Sequence, residues 1–130
     1  MPDKELIPGS SADWINRAKA DLALARVPLP EGAMFEDLCF HAEQAAEKAI
    51  KAVYVHRAAR FRYTHDIAEL LTGLIQMGLS FTDEIKEAAT LSDYVWQRYP
   101  GPAEPVTEEE YQKAIRLAQS VLVWAENLIE

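Results

Sequence analysis

The stretch from Met34 to Arg57, MFEDLCFHAEQAAEKAIKAVYVHR, limits what this chain can fold into more than any other segment. Its apolar residues fall at Phe35, Leu38, Cys39, Ala42, Ala45, Ala46, Ala49, Ile50 and Val53. Steps of three and four define one face of an α-helix, whereas a strand would alternate. No Gly or Pro interrupts the run, and strong helix formers (Ala, Glu, Lys, Gln) fill most of the other positions. At helical rise its residues make a rod of roughly 36 Å, long enough to span a small domain. The alanines let neighbouring backbones approach closely, so a central helix contacted on more than one side is expected.

The rest of the chain reads as partners for that helix. Residues 1–10 contain two prolines and no periodicity, and form a flexible lead-in. Residues 11–130 form a single helical domain. Ser10 or Ser11 caps a first helix, with Asp13 in its opening turn and Trp14, Ala18, Leu22 and Ala25 on its stripe. Pro28 and Pro30 stop it, and the short linker makes it an antiparallel neighbour of the central helix. A third helix begins near Asp66, with Glu69 spaced as its capping partner, Ile67, Leu70, Leu71, Leu74 and Ile75 as its apolar side, and Gly78 at its end. A fourth starts at Ser80 or Thr82, carries Ile85, Ala88, Ala89, Ser92, Val95, Trp96 and Tyr99 on its stripe, and is ended by Tyr99-Pro100-Gly101-Pro102. Thr107 with Glu110 is a capping box for the last helix, whose stripe includes Tyr111, Ala114, Ala118, Val121, Leu122 and Ala125. The fold class is all-α: an up-and-down four-helix bundle with an additional helix or short helical segment.

Charge is distributed unevenly. Lys48, Lys51, Arg57, Arg60 and Arg62 lie between Lys48 and His65 with no carboxylate among them; that +5, set against −8 for the whole chain, leaves −13 elsewhere. Cations favour a helix C-terminus, which explains Arg57 well and Arg60 and Arg62 poorly. The overall acidity argues against a surface coated for nonspecific nucleic-acid binding. One cysteine, Cys39, excludes an intramolecular disulfide, and no apolar run is long enough to cross a bilayer. Cytoplasmic residence and no membrane association are expected.

The segments CFHAEQAAEKAIKA (Cys39 to Ala52), Thr64-His65-Asp66-Ile67 with Leu70 and Leu71, and Tyr94 with Arg98-Tyr99-Pro100 carry a family likeness. In order and spacing, from about Asp13 to the C-terminus, the chain resembles the HEPN domains, compact helical bundles. The resemblance implies a homodimer, frequently encoded beside a minimal nucleotidyltransferase in toxin–antitoxin pairs. It also implies nucleotide binding or, in some members, metal-independent ribonuclease activity carried by an Arg, four to six residues, then a His.

That motif is absent after Arg98, where no His follows. Arg60, four residues, His65 fits the spacing, although roughly half a match is expected by chance from the numbers of Arg and His in the chain. Its chemistry is coherent: a His shuttles the proton of a ribose 2′-hydroxyl while an Arg holds the phosphate. His41, Gln44, Lys48 and Lys51 step by three, four and three along one face of the central helix. With Arg57 and Arg62 they would suit a phosphate-bearing ligand; a solvated face, or one paired with Asp93 or Glu104, is the plainer alternative. Tyr94, Arg98 and Tyr99 form a third candidate contact for nucleotide or partner. His41 and Cys39 diverge on their helix, and no Gly-rich phosphate loop exists, so neither a metal nor a cofactor is expected. The expected function is a nucleotide- or substrate-binding partner of a separate nucleotidyltransferase in a toxin–antitoxin-type pair. A metal-independent endoribonuclease using Arg60 and His65 is the alternative, and a helical dimer without ligand the second.

Overall fold

A computed structural model describes residues 7–96 and 104–129. Its helices are α1 (Ser11–Ala25), α2 (Phe35–His56), α3 (Ile67–Gln76), α4 (Asp83–Glu87), α5 (Asp93–Trp96) and α6 (Glu108–Ile129), with a 3-10 turn over Ala88–Ser92; no strand occurs among the described residues. The starts follow the local chemistry. Ser10 Oγ accepts from Asp13 N at 3.1 Å, an Asp66 oxygen from Ala68 N at 3.0 Å, and Thr82 Oγ from Ile85 N at 3.3 Å. Thr107 and Glu110 cap reciprocally at 3.0 and 3.1 Å.

α2 is the centre. Leu38, Cys39, Ala42, Ala45, Ala46, Ala49, Ile50, Ala52 and Val53 are all buried, because the alanines admit helices on several sides. Trp14 at the start of α1 meets Lys51 near the end of α2. Tyr111 at the start of α6 stacks on Phe35 at the start of α2 and donates its hydroxyl to Ala25 O at the end of α1. So α1 runs antiparallel to α2, and α6 parallel to it. Glu84 and Glu87 pair with Arg116 and Lys113, while Tyr94 reaches Cys39, so the α4–α5 segment runs antiparallel to α6. The result is an up-down-up-down bundle of α1, α2, α4–α5 and α6, with α3 as the additional helix near the end of α2.

The fourth helix is not the continuous one that its apolar spacing predicts. Thr90 Oγ donates to Glu87 O at 2.9 Å, competing for a carbonyl the helix would use. Ser92 Oγ accepts from Ile67 N at 2.8 Å and donates to His65 O at 3.0 Å, clamping the turn to the entry of α3. Glu69 also differs from its expected capping role: its carboxylate pairs with Arg62 at 2.9 Å. Ile75, expected on the apolar side of α3, is half exposed.

Two helix ends prepare the site. At the end of α3, Gly78 takes φ +92° while Leu79 N bonds to Leu74 O. At the end of α2, Ala59 N bonds to Tyr54 O in the same motif, but the left-handed position is held by Ala58, φ +56°. Gly73, a poor residue by helix propensity, has a packing reason. A Cβ there would run into the Tyr54 hydroxyl, which donates to Leu70 O.

Candidate functional site

The candidate cations divide into two groups. On α2, Lys48 Nζ donates to Asp21 Oδ2, and His41 Nδ1 lies 3.2 Å from Oδ1 of the same carboxylate on α1. Lys51 is buried; its Nζ donates to Glu47 Oε2 at 2.8 Å and sits 5.2 Å from the Phe61 ring centre and 5.9 Å from that of Trp14. The partners are thus Asp21 and Glu47, not Asp93 or Glu104. Gln44 Nε2 donates to Glu43 Oε1 at 2.6 Å. The four α2 residues therefore do not converge on one open face; each is engaged by a carboxylate of the bundle.

The second group lies in the junction between α2 and α3. Arg57 and Arg60 are exposed and have no carboxylate partner among the described residues. Arg62 pairs with Glu69 at the surface, where such a pair is worth little. Arg60 and Arg62 line a cleft of about 490 Å³ together with Tyr54, Phe61, Glu69 and Gln76. Tyr63 stands fully exposed beside them. His65 follows, 56% exposed, with Nδ1 held 2.9 Å from Oε1 of the buried Glu47. It is not among the residues lining the cleft that Arg60 enters, so the two share a junction without sharing a pocket.

Beneath His65 lies a row that sequence spacing alone does not single out: Glu43, Glu47 and Lys51. Glu43 is fully buried, and its Oε2 has no hydrogen-bond partner. Burial first, and then the neighbouring Glu47 charge, push the Glu43 carboxyl up to about 9. The only trace of it in the sequence is the spacing. Three ionisable residues step by four along the helix and so share one face, but only the packing of the bundle decides that this face is buried.

Tyr94 lines a separate cleft of about 270 Å³ with Asp93, Glu110 and Lys113. Its hydroxyl lies beside the Cys39 thiol; burial pushes both groups up to about 12, which makes the pair neutral packing. Arg98 and Tyr99 lie outside the described residues. Among the described residues, no helix is long and apolar enough to cross a membrane and no group of His, Cys, Asp or Glu is arranged to hold a metal.

The described residues form an all-helical bundle around one long central helix. The chain belongs to the HEPN domain family, whose match covers residues 11–128. It is similar to the candidate toxin MJ1304 of Methanocaldococcus jannaschii, 28% identical over 84% of this chain and 81% of that protein. Among solved structures it resembles TT1696 from Thermus thermophilus, with TM-score 0.80 and 32% identity over 92% of this chain and 98% of that one. It also resembles ST0689, an archaeal HEPN homologue, with TM-score 0.73 and 28% identity over 93% and 98% of the two chains.

Proposed function

We propose that this HEPN domain binds a phosphate-bearing ligand, a nucleotide or a single-stranded RNA segment, along residues 57–65. It does so as a homodimer and as the partner of a separate minimal nucleotidyltransferase in a toxin–antitoxin-type pair. The observation that carries the reading is the division of cations: Lys48 and Lys51 are engaged inside the bundle, whereas Arg57 and Arg60 have no carboxylate partner among the described residues. Arg60, Phe61, Arg62 and Tyr63 alternate guanidinium and ring, a pattern suited to phosphates and stacked bases. The similarity to a candidate toxin supports the pairing. The test is fluorescence anisotropy with labelled nucleotide and labelled oligoribonucleotide at two salt concentrations. Arg60→Ala is expected to weaken binding by about tenfold or more, the loss of one charge-assisted contact. No binding by the parent, and no nucleotidyltransferase co-purifying from native cells, would sink the reading.

One observation favours a second reading, a metal-independent endoribonuclease using His65 and Arg60. The bond from His65 to the buried Glu47 is how a general base is oriented. Incubation with labelled RNA and a chelator, beside His65→Ala, decides it: cleavage must be present in the parent and lost in the variant.

A further inference from the structure

The least explained group in the molecule is Glu43. A carboxyl with no exposure lies in the middle of the central helix, one oxygen taken by Gln44 Nε2 and the other, Oε2, without a partner. One turn on is Glu47, also buried, whose two oxygens meet Lys51 Nζ at 2.8 Å and His65 Nδ1 at 2.9 Å. The groups acting on Glu43 are Glu47, Gln44 and Lys51, all on α2. Two ionised carboxylates with one ammonium beside the second of them would leave a net negative charge in a low-dielectric interior, and Glu43 Oε2 would remain unsolvated. A proton on Oε2 removes both problems at once: the acid becomes a donor, and Glu47 has lone pairs free to accept it.

We propose that Glu43 is held as the un-ionised acid donating its Oε2–H to Glu47, and that the single charge left on Glu47 fixes His65 with Nδ1–H inward and the Nε2 lone pair toward solvent. Glu43 and Glu47 are then positioning residues for an imidazole base that opens onto the arginine junction. Lys51, held over the Phe61 and Trp14 rings, pins the second Glu47 oxygen, so the carboxylate cannot swing away. The base suits a ligand hydroxyl adjacent to a phosphate, and in that respect the inference deepens the ribonuclease reading and rests on it. The arrangement of protons itself does not.

The experiment is NMR of the full chain without RNA. At pH 7 the Glu43 side-chain carboxyl carbon is expected at its protonated shift; an ionised shift overturns the proposal. At pH 8 the His65 ring nitrogens are expected to report the Nδ1–H tautomer, and the Nε2–H form that predominates in a free histidine side chain overturns it. Glu43→Gln, a neutral group that still donates, is expected to keep that tautomer. Glu47→Gln is expected to lose it, and retention there overturns the positioning role. Should Glu47→Gln fail to fold, the parent and Glu43→Gln spectra still decide. Because none of these signals involves RNA, a protein that shows them yet leaves RNA intact refutes the ribonuclease and not the proton arrangement.

Discussion

The middle turns of α2 and the junction that follows it are both rich in ionisable residues, and they use them in opposite ways. In the helix, Glu43, Glu47 and Lys51 are buried, and Lys48 and His41 reach across to Asp21, so nearly every charge is answered by the bundle. In the junction, Arg57, Arg60 and Tyr63 face solvent, and Arg62 has only a surface partner. Regular structure places side chains at fixed intervals against a neighbour, and an unpaired charge there would be costly. A loop imposes no such demand. Cations in it are free to meet a ligand, and His65 joins the regions because its backbone belongs to the junction while Nδ1 reaches the helix.

That contrast can be broken most severely at Glu47. Glu47→Ala removes the partner of a lysine only 8% exposed and is expected to cost about 3–5 kcal/mol, measured by urea denaturation. A loss below about 1 kcal/mol, the range of an exposed pair, would mean that Lys51 reaches water in solution. Gly73→Ala presses a methyl group on the Tyr54 hydroxyl at the last turns of α2, and about 1–3 kcal/mol of destabilisation is expected in the same assay. Tyr54→Phe should relieve part of it in the double variant.

A third test uses pH. Glu43 has its ordinary value near 4.5 when unfolded and about 9 when folded. Between these values the native state binds more protons than the unfolded one, so this group lowers stability as pH rises through that window and contributes nothing to the slope below it. Glu43→Gln should remove that slope; denaturation at pH 5 and pH 8 is expected to show the variant gaining on the parent at the higher pH. Parallel pH dependence in both would show that Glu43 is ionised. The smallest effect belongs to the junction. Ala58→Gly relaxes a left-handed alanine and should stabilise by about 0.5–1 kcal/mol, less the entropy glycine adds to the unfolded chain, visible as a raised Tm.

Much of the fold was legible because it rests on local signals. The periodicity of α2, the Ser10, Thr82 and Thr107 caps and Gly78 at the end of α3 all act within a few residues, so the spacing that predicts them also causes them. The break in the fourth helix was not legible, since it depends on Ser92 bonding to His65 and Ile67, far away in the chain. Nor was the fate of the polar residues on α2. Helical spacing put His41, Gln44, Lys48 and Lys51 near one another, but which carboxylate answers each depends on how α1 and α2 are rotated in the bundle.

The sequence by itself determined the helices, their order and the position of the basic junction, because backbone propensity and apolar period are properties of neighbouring residues. Only the tertiary structure decided which charges are consumed and which are left. Glu43 and Glu47 became buried neighbours because α2 is enclosed on several sides, and Arg60 stayed free because Glu69, which lines the same cleft, pairs with Arg62 instead. Burial and pairing are set by distances across the bundle, and those distances exist only once the helices have packed.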